Sequence, residues 1–86
     1  MRYTLRQLEV FLGIAHKQNV SKAAKALNLS QSAASSALKE LEQQFDVQLF
    51  DRIGKRLQLN EQGRLIRPKA ESLLAQAADL EQTLLK

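Results

Sequence analysis

The chain has 86 residues, 44% hydrophobic and 26% charged, the composition of one small folded domain rather than of a disordered segment. It has no cysteine and a single histidine, His16, which excludes disulfide scaffolds and cysteine redox chemistry and leaves almost nothing for metal binding. Thirteen Lys and Arg against nine Asp and Glu give a net charge of +4, which favours an anionic partner, nucleic acid ahead of a membrane surface.

The charge is segmented. Residues 1–39 carry Arg2, Arg6, Lys17, Lys22, Lys25 and Lys39 against Glu9 alone, a net of +5. Residues 40–51 carry Glu40, Glu42, Asp46 and Asp51 with no base, a net of −4. Residues 52–69 return to +5 with Arg52, Lys55, Arg56, Arg64, Arg67 and Lys69 against Glu61, and the remainder is acidic. No apolar run approaches the roughly 18 residues of a membrane span. The N-terminus MRYTLRQLEV has no signal-peptide pattern. These features lead to the expectation of a small cytoplasmic binder with no membrane partner, not an enzyme.

Leu5, Leu8, Leu12 and Ala15 recur at helical steps and predict a first helix over about 4–16. Lys17-Gln18-Asn19 ends it, with Asn19 as the left-handed residue. Ser21 reads as the N-cap of a short helix, SKAAKALN, whose Ala23, Ala24 and Leu27 face inward. A tight turn at Asn28-Leu29 leads to Ser30, a second N-cap, and a helix over about 31–44. At 100° per residue Ala34, Leu38, Leu41 and Phe45 fall on one side of it. Ser32, Ser35, Ser36, Lys39 and Gln43 fall on the other.

Two short helices joined by a tight turn, the second with a polar face of short side chains, fit a helix-turn-helix unit. Serines let a helix axis sink into a major groove, where hydroxyls meet phosphates or base edges. The alternative is a serine face turned simply to solvent. Val47-Gln48-Leu49-Phe50 and Leu57-Gln58-Leu59 then alternate in period two around Asp51-Arg52-Ile53-Gly54-Lys55-Arg56. This predicts a β-hairpin with a basic tip, placed as a wing.

Asn60 caps a predicted helix over about 61–85, roughly 37 Å long. Pro68 within it removes one backbone hydrogen bond, which predicts a kink. Ile66, Ala70, Leu73, Ala77, Leu80 and Leu84 follow the 4-3-4-3-4 spacing of a helix–helix seam. The expectation is self-association through these residues; the alternative is that the helix folds back on the first one. Gly63, in its first turn, suits close packing or backbone approach to a phosphate.

The order LRQLEVF, SKAAKALNLSQSAASSALKELE, FDVQLFDR and LNEQGR resembles the N-terminal DNA-binding domain of LysR-type transcriptional regulators over essentially the whole chain. The stretch LFDRIGKRLQLNEQGR is similar to the YeiE-like branch of that family. The resemblance implies a mainly α fold, a winged helix-turn-helix of three helices and a short hairpin wing, followed by a long linker helix. It divides the chain into a DNA-binding domain over 1–59 and a dimerisation helix over 60–86. The linker helices of two subunits are expected to pack antiparallel in a homodimer bound to an inverted-repeat operator. A C-terminal effector domain, responsive to a small molecule, is expected outside this chain, with a tetrameric full-length protein. No cofactor or metal is expected within the chain itself.

Carried over by position, the resemblance makes double-stranded DNA the partner, with helix 31–44 in the major groove. The basic wing 51–56 lies on the minor groove or phosphates. Gln31 and Ser32 open the reading helix and touch backbone or base edges, and Ser35, Ser36 and Lys39 lie along the groove. Arg52, Lys55 and Arg56 serve the wing, and Ser21 bonds a phosphate. The family most often has Pro in place of Ser32 and a long base in place of Ser36, so direct readout here is thin. More specificity is then expected from the wing and from DNA shape. The competing function class is a basic helical module that binds an acidic protein. An enzyme is weakest: His16 suits a helix end, Ser30 and Ser35 have no His partner, and Gly13, Gly54 and Gly63 form no phosphate loop.

Overall fold

The computed structural model describes residues 1–86. Four helices and one hairpin follow in the order α1 Leu5–Lys17, α2 Val20–Ala26, α3 Gln31–Phe45, β1 Phe50–Ile53, β2 Arg56–Leu59 and α4 Glu61–Leu84. This is the mainly α, winged helix-turn-helix architecture expected, with a long terminal helix. The molecule measures 46 × 25 × 19 Å.

Helix α1 opens on a capping box. Thr4 Oγ1 accepts from the Gln7 N–H, and the Gln7 side chain accepts from the Thr4 N–H, both at 3.1 Å. Val10, Phe11 and Ile14 are the largest fully buried side chains, and Phe11 meets Phe50 with ring centroids 5.6 Å apart. The small residues Ala23, Ala24 and Ala34 are 0–2% exposed, so α2 and α3 approach α1 closely. Leu41, Leu49 and Ala70 complete the core from the remaining parts of the chain.

The junction between α1 and α2 departs from expectation. Gln18, not Asn19, takes the left-handed conformation, with φ of 58°, and its N–H reaches the Ile14 carbonyl at 2.7 Å. Asn19 is extended and caps α2, its side chain accepting from the Lys22 N–H at 2.9 Å. Ser21 is therefore not the cap but the second residue of α2, with its hydroxyl free for another partner. The cause is where α1 stops: the αL residue falls directly after Lys17, one position earlier than expected, and Asn19 is then placed for its cap oxygen to reach the N–H three positions on, two residues ahead of Ser21. Ser30 does cap α3, its hydroxyl accepting from the Ala33 N–H at 3.1 Å.

Phe45 also differs from expectation. It closes α3 but is 42% exposed, its ring tilted against Tyr3 at 6.4 Å between centroids. Left-handed Asp46, with φ of 52°, ends the helix there and turns the chain away.

The strands are shifted toward the tip. Phe50 pairs with Leu59, Asp51 with Gln58, Arg52 with Leu57 and Ile53 with Arg56, leaving only Gly54-Lys55 as the turn. Gly54 has φ of +62°, which a two-residue turn demands and glycine supplies without strain. Val47–Leu49, expected as strand, is instead a connection held by backbone and side-chain hydrogen bonds to Glu42 and Asn60. Ladder pairing follows the turn geometry rather than the apolar alternation, so Arg52 sits within a strand and not in the tip.

Asn60 caps α4, and the helix continues through Pro68 to Leu84. Gly63 is buried because a Cβ there would collide with the Leu49 carbonyl oxygen and lie 2.7 Å from Leu59 Cδ2. Ala70 is 2% exposed and Ile66 packs on the core, so the first turns of α4 fold onto the chain's own body. The rest projects, with Leu73 40%, Leu80 61% and Leu84 74% exposed. No helix is long and apolar enough to cross a membrane.

Candidate nucleic-acid interface

Helix α3 turns one face outward because its apolar residues are used inward. Ala34 and Leu41 are buried, whereas Gln31, Ser32, Ser35, Ser36 and Lys39 are exposed. The preceding helix adds Ser21, whose hydroxyl donates to Gln31 Oε1 at 2.8 Å and links α2 to the first turn of α3. Ser32 lies 3.4 Å from the Ser30 hydroxyl, oxygen to oxygen.

The wing is tied by its backbone to the end of α1, the Leu57 N–H donating to the Gln18 carbonyl at 3.0 Å, and Arg52 lies across from Ser35 and Lys39 of α3. Two recesses result. A polar one of about 140 Å³ is lined by Asn19, Ser21, Gln31, Arg52 and Lys55, among others. A larger groove of about 380 Å³ runs between Ser35, Lys39 and Glu42 of α3 and Gln48 and Arg52 beyond it. Arg52 borders both, so the guanidinium-bearing strand joins the two into one surface.

Six of the nine expected contact residues therefore converge: Ser21, Gln31, Ser35, Lys39, Arg52 and Lys55. Ser32, Ser36 and Arg56 are exposed but border neither recess. For Arg56 the reason is strand parity. Cross-strand partners share a face, so Arg52 lies with Phe50 and Leu57 toward the body, while Arg56 lies with Ile53 on the opposite face. The wing thus presents its bases to two sides rather than as one cluster.

The bases of this surface have no acidic partner. The two ion pairs of the chain are Arg6–Glu9 at 4.0 Å and Arg67–Glu71 at 3.6 Å, both within single helices. Lys39, Arg52 and Lys55 are thus available to phosphates, as bases in a nucleic-acid surface must be. Glu42 is the one acid bordering the groove, and its carboxylate is engaged by the Leu49 N–H at 2.8 Å. No cluster of His, Asp and Glu could hold a metal ion. Sequence reasoning missed Asn19, Glu42 and Gln48 as members of this surface. Asn19 was readable, being three residues ahead of Lys22 at a helix start. Glu42 and Gln48 had no local signal, since the fold alone places them.

Residues 5–64 match the family described as bacterial regulatory helix-turn-helix proteins of the LysR family. The chain belongs to the LysR family. It is 55% identical over 82 residues to the HTH-type transcriptional regulator YeiE of Escherichia coli, covering 95% of the chain and 28% of that protein. Among solved structures, OxyR of Corynebacterium glutamicum superposes with a TM-score of 0.94 at 32% identity, over all of this chain and 27% of that one. The BenM DNA-binding domain in complex with benA site 1 DNA superposes with a TM-score of 0.87 at 25% identity, over 94% of this chain and 91% of that one. The chain thus spans under a third of the length of its LysR relative YeiE and nearly all of the BenM DNA-binding domain.

Proposed function

We propose that this LysR-family chain binds double-stranded DNA sequence-specifically, with α3 in the major groove and the wing alongside on the minor groove or phosphates. The observation that carries the reading is the continuous surface in which Arg52 of the wing joins Ser35 and Lys39 on one side and Ser21 and Gln31 on the other. A major groove about 12 Å wide admits a helix with short side chains. BenM, superposed over nearly its whole DNA-binding domain, is bound to DNA in its own structure. In this reading residues 1–59 read DNA, residues 60–86 dimerise, and the chain is a cytoplasmic binding module rather than an enzyme. Small-molecule control and a tetrameric whole protein belong to the same reading.

Dimerisation through α4 is supported by shape and by charge. An apolar groove of about 370 Å³, lined by Tyr3, Phe45, Val47, Ile66 and Leu73 among others, lies beside the first half of α4. Residues 61–70 carry Arg64, Arg67 and Lys69 against Glu61, a net of +2, whereas 71–86 carry Glu71, Asp79 and Glu81 against Lys86, a net of −2. Antiparallel pairing sets these halves against each other and brings the exposed Leu80 and Leu84 of a second copy to the groove.

The test is selection of bound sequences from a random duplex pool, followed by affinity against salt. A shared pair of inverted half-sites is expected, with log affinity falling linearly in log salt by about 0.9 per phosphate neutralised. No binding to any duplex at low salt overturns the reading and turns attention to acidic protein partners.

A further inference from the structure

Helices α3 and α4 are connected by a chain of hydrogen bonds through Gln48 and Leu49. The Leu49 N–H donates to Glu42 Oε2 of α3 at 2.8 Å. The Leu49 carbonyl accepts from the Asn60 N–H at 3.0 Å, and the Gln48 carbonyl accepts from Asn60 Nδ2 at 2.8 Å. Asn60 Oδ1 meanwhile accepts from the Gly63 N–H at 2.9 Å, capping α4. With no Cβ at Gly63, the first turn of α4 rests directly on the Leu49 carbonyl. Leu49 itself is 2% exposed, anchored in the core. One side chain from each helix thus grips the same two-residue segment.

We propose that Glu42 and Asn60 are positioning residues that hold the reading helix at a set angle to α4, and so determine which half-site spacing the dimer accepts. This rests on the DNA-binding dimer inferred above. The lever is long. Helix α4 has 24 residues, about 36 Å at roughly 1.5 Å each. A tilt of about 10° at its root then moves its far end about 6 Å, nearly two base-pair steps of roughly 3.4 Å. Apolar packing of Ile66 and Ala70 resists separation but is non-directional. Hydrogen bonds are directional, and these constrain rotation at the root.

Asn60→Asp separates the two roles of this side chain. Aspartate still accepts from the Gly63 N–H, so the cap remains. It puts an oxygen where Nδ2 donated to the Gln48 carbonyl, so the tie is lost. Glu42→Ala removes the other grip, while Glu42→Gln keeps an acceptor for the Leu49 N–H. Because the chain has no cysteine, spin labels can be placed at Gln43→Cys on α3 and Gln76→Cys on α4, diluted with unlabelled chain.

The spin–spin distance distribution is expected to broaden in Asn60→Asp and Glu42→Ala but not in Glu42→Gln. On duplexes carrying the selected half-sites, with base pairs inserted or removed between them, the parent is expected to bind its own spacing alone. For Asn60→Asp the ratio of affinities between original and shifted spacings is expected to fall toward one, with the thermal midpoint near the parent's. An unbroadened distribution in both variants overturns the proposal, and so does broadening with the parent's spacing profile intact. If the parent binds no duplex, the DNA-binding reading fails, and the spacing role with it. The distance measurement then still decides whether the two residues hold the angle.

Discussion

Replacing Gly63 by Ala provides a sharp test of how α4 is seated. Inside a helix this change ordinarily stabilises by up to about 1 kcal/mol. Here the added Cβ meets a backbone carbonyl, that of Leu49, and lies 2.7 Å from Leu59 Cδ2. A backbone group held at both ends cannot rotate away, so α4 must lift, at an overpacking cost of about 1–3 kcal/mol. The same carbonyl accepts from the Asn60 N–H, and weakening that bond adds about 1 kcal/mol. The net expectation is destabilisation by about 2 kcal/mol, a fall in the thermal midpoint of about 8–16 °C for a domain of this size. Gly13→Ala is the control, because its Cβ would meet the end of a flexible side chain, Leu27 Cδ1, at 3.3 Å. It should leave the midpoint unchanged or raise it. Circular dichroism melts are run at one fixed protein concentration, since the proposed dimerisation makes the midpoint concentration-dependent. A Gly63→Ala midpoint at or above the parent's, or an equal fall in both variants, refutes the reasoning.

Phe11→Ala removes a ring that is 0% exposed and packed on Phe50, so a loss of about 3–5 kcal/mol is expected in urea titrations. Arg52→Ala should weaken duplex binding and reduce the salt slope by about one, with a larger loss of operator preference than Arg56→Ala, which lies on the other face of the wing. Equal losses of preference for the two variants would contradict that division, as would a preference abolished by Lys39→Ala and Ser35→Ala but untouched by Arg52→Ala. Leu80→Glu puts a charge on a side chain 61% exposed in the single chain; it should shift the dimer to monomer in size-exclusion chromatography and cost most of the affinity. An unchanged elution volume counts against the seam.

The helices were legible because their signals are local. Apolar residues at three- and four-residue steps, Ser30 and Asn60 as caps, and Gly54 at the hairpin tip each act within a few positions of themselves. The outward polar face of α3 was legible for the same reason, since a helix with Ala34 and Leu41 inward must turn Ser35 and Lys39 outward. Errors arose where two local readings compete within a few residues. Asn19 and Ser21 are both cap residues, and the αL stop at Gln18 decides for Asn19. In the hairpin, apolar alternation suggested strands further from the tip than the two-residue turn allows.

By itself the sequence determined four helices, a basic hairpin and an outward polar face, because hydrophobic period and capping chemistry are properties of neighbouring residues. Only the tertiary structure decided which bases act together. Arg52 reaches the α3 groove and Arg56 does not, through a pairing register set by the turn. It also decided that Ala70 is buried in the chain's own core and Ile66 half-buried against it, although both are equal to Leu80 and Leu84 in the heptad pattern. A periodic pattern specifies a face; what covers that face depends on where the helix leaves the body. Gly63, pressed against Leu49, sets that point of departure.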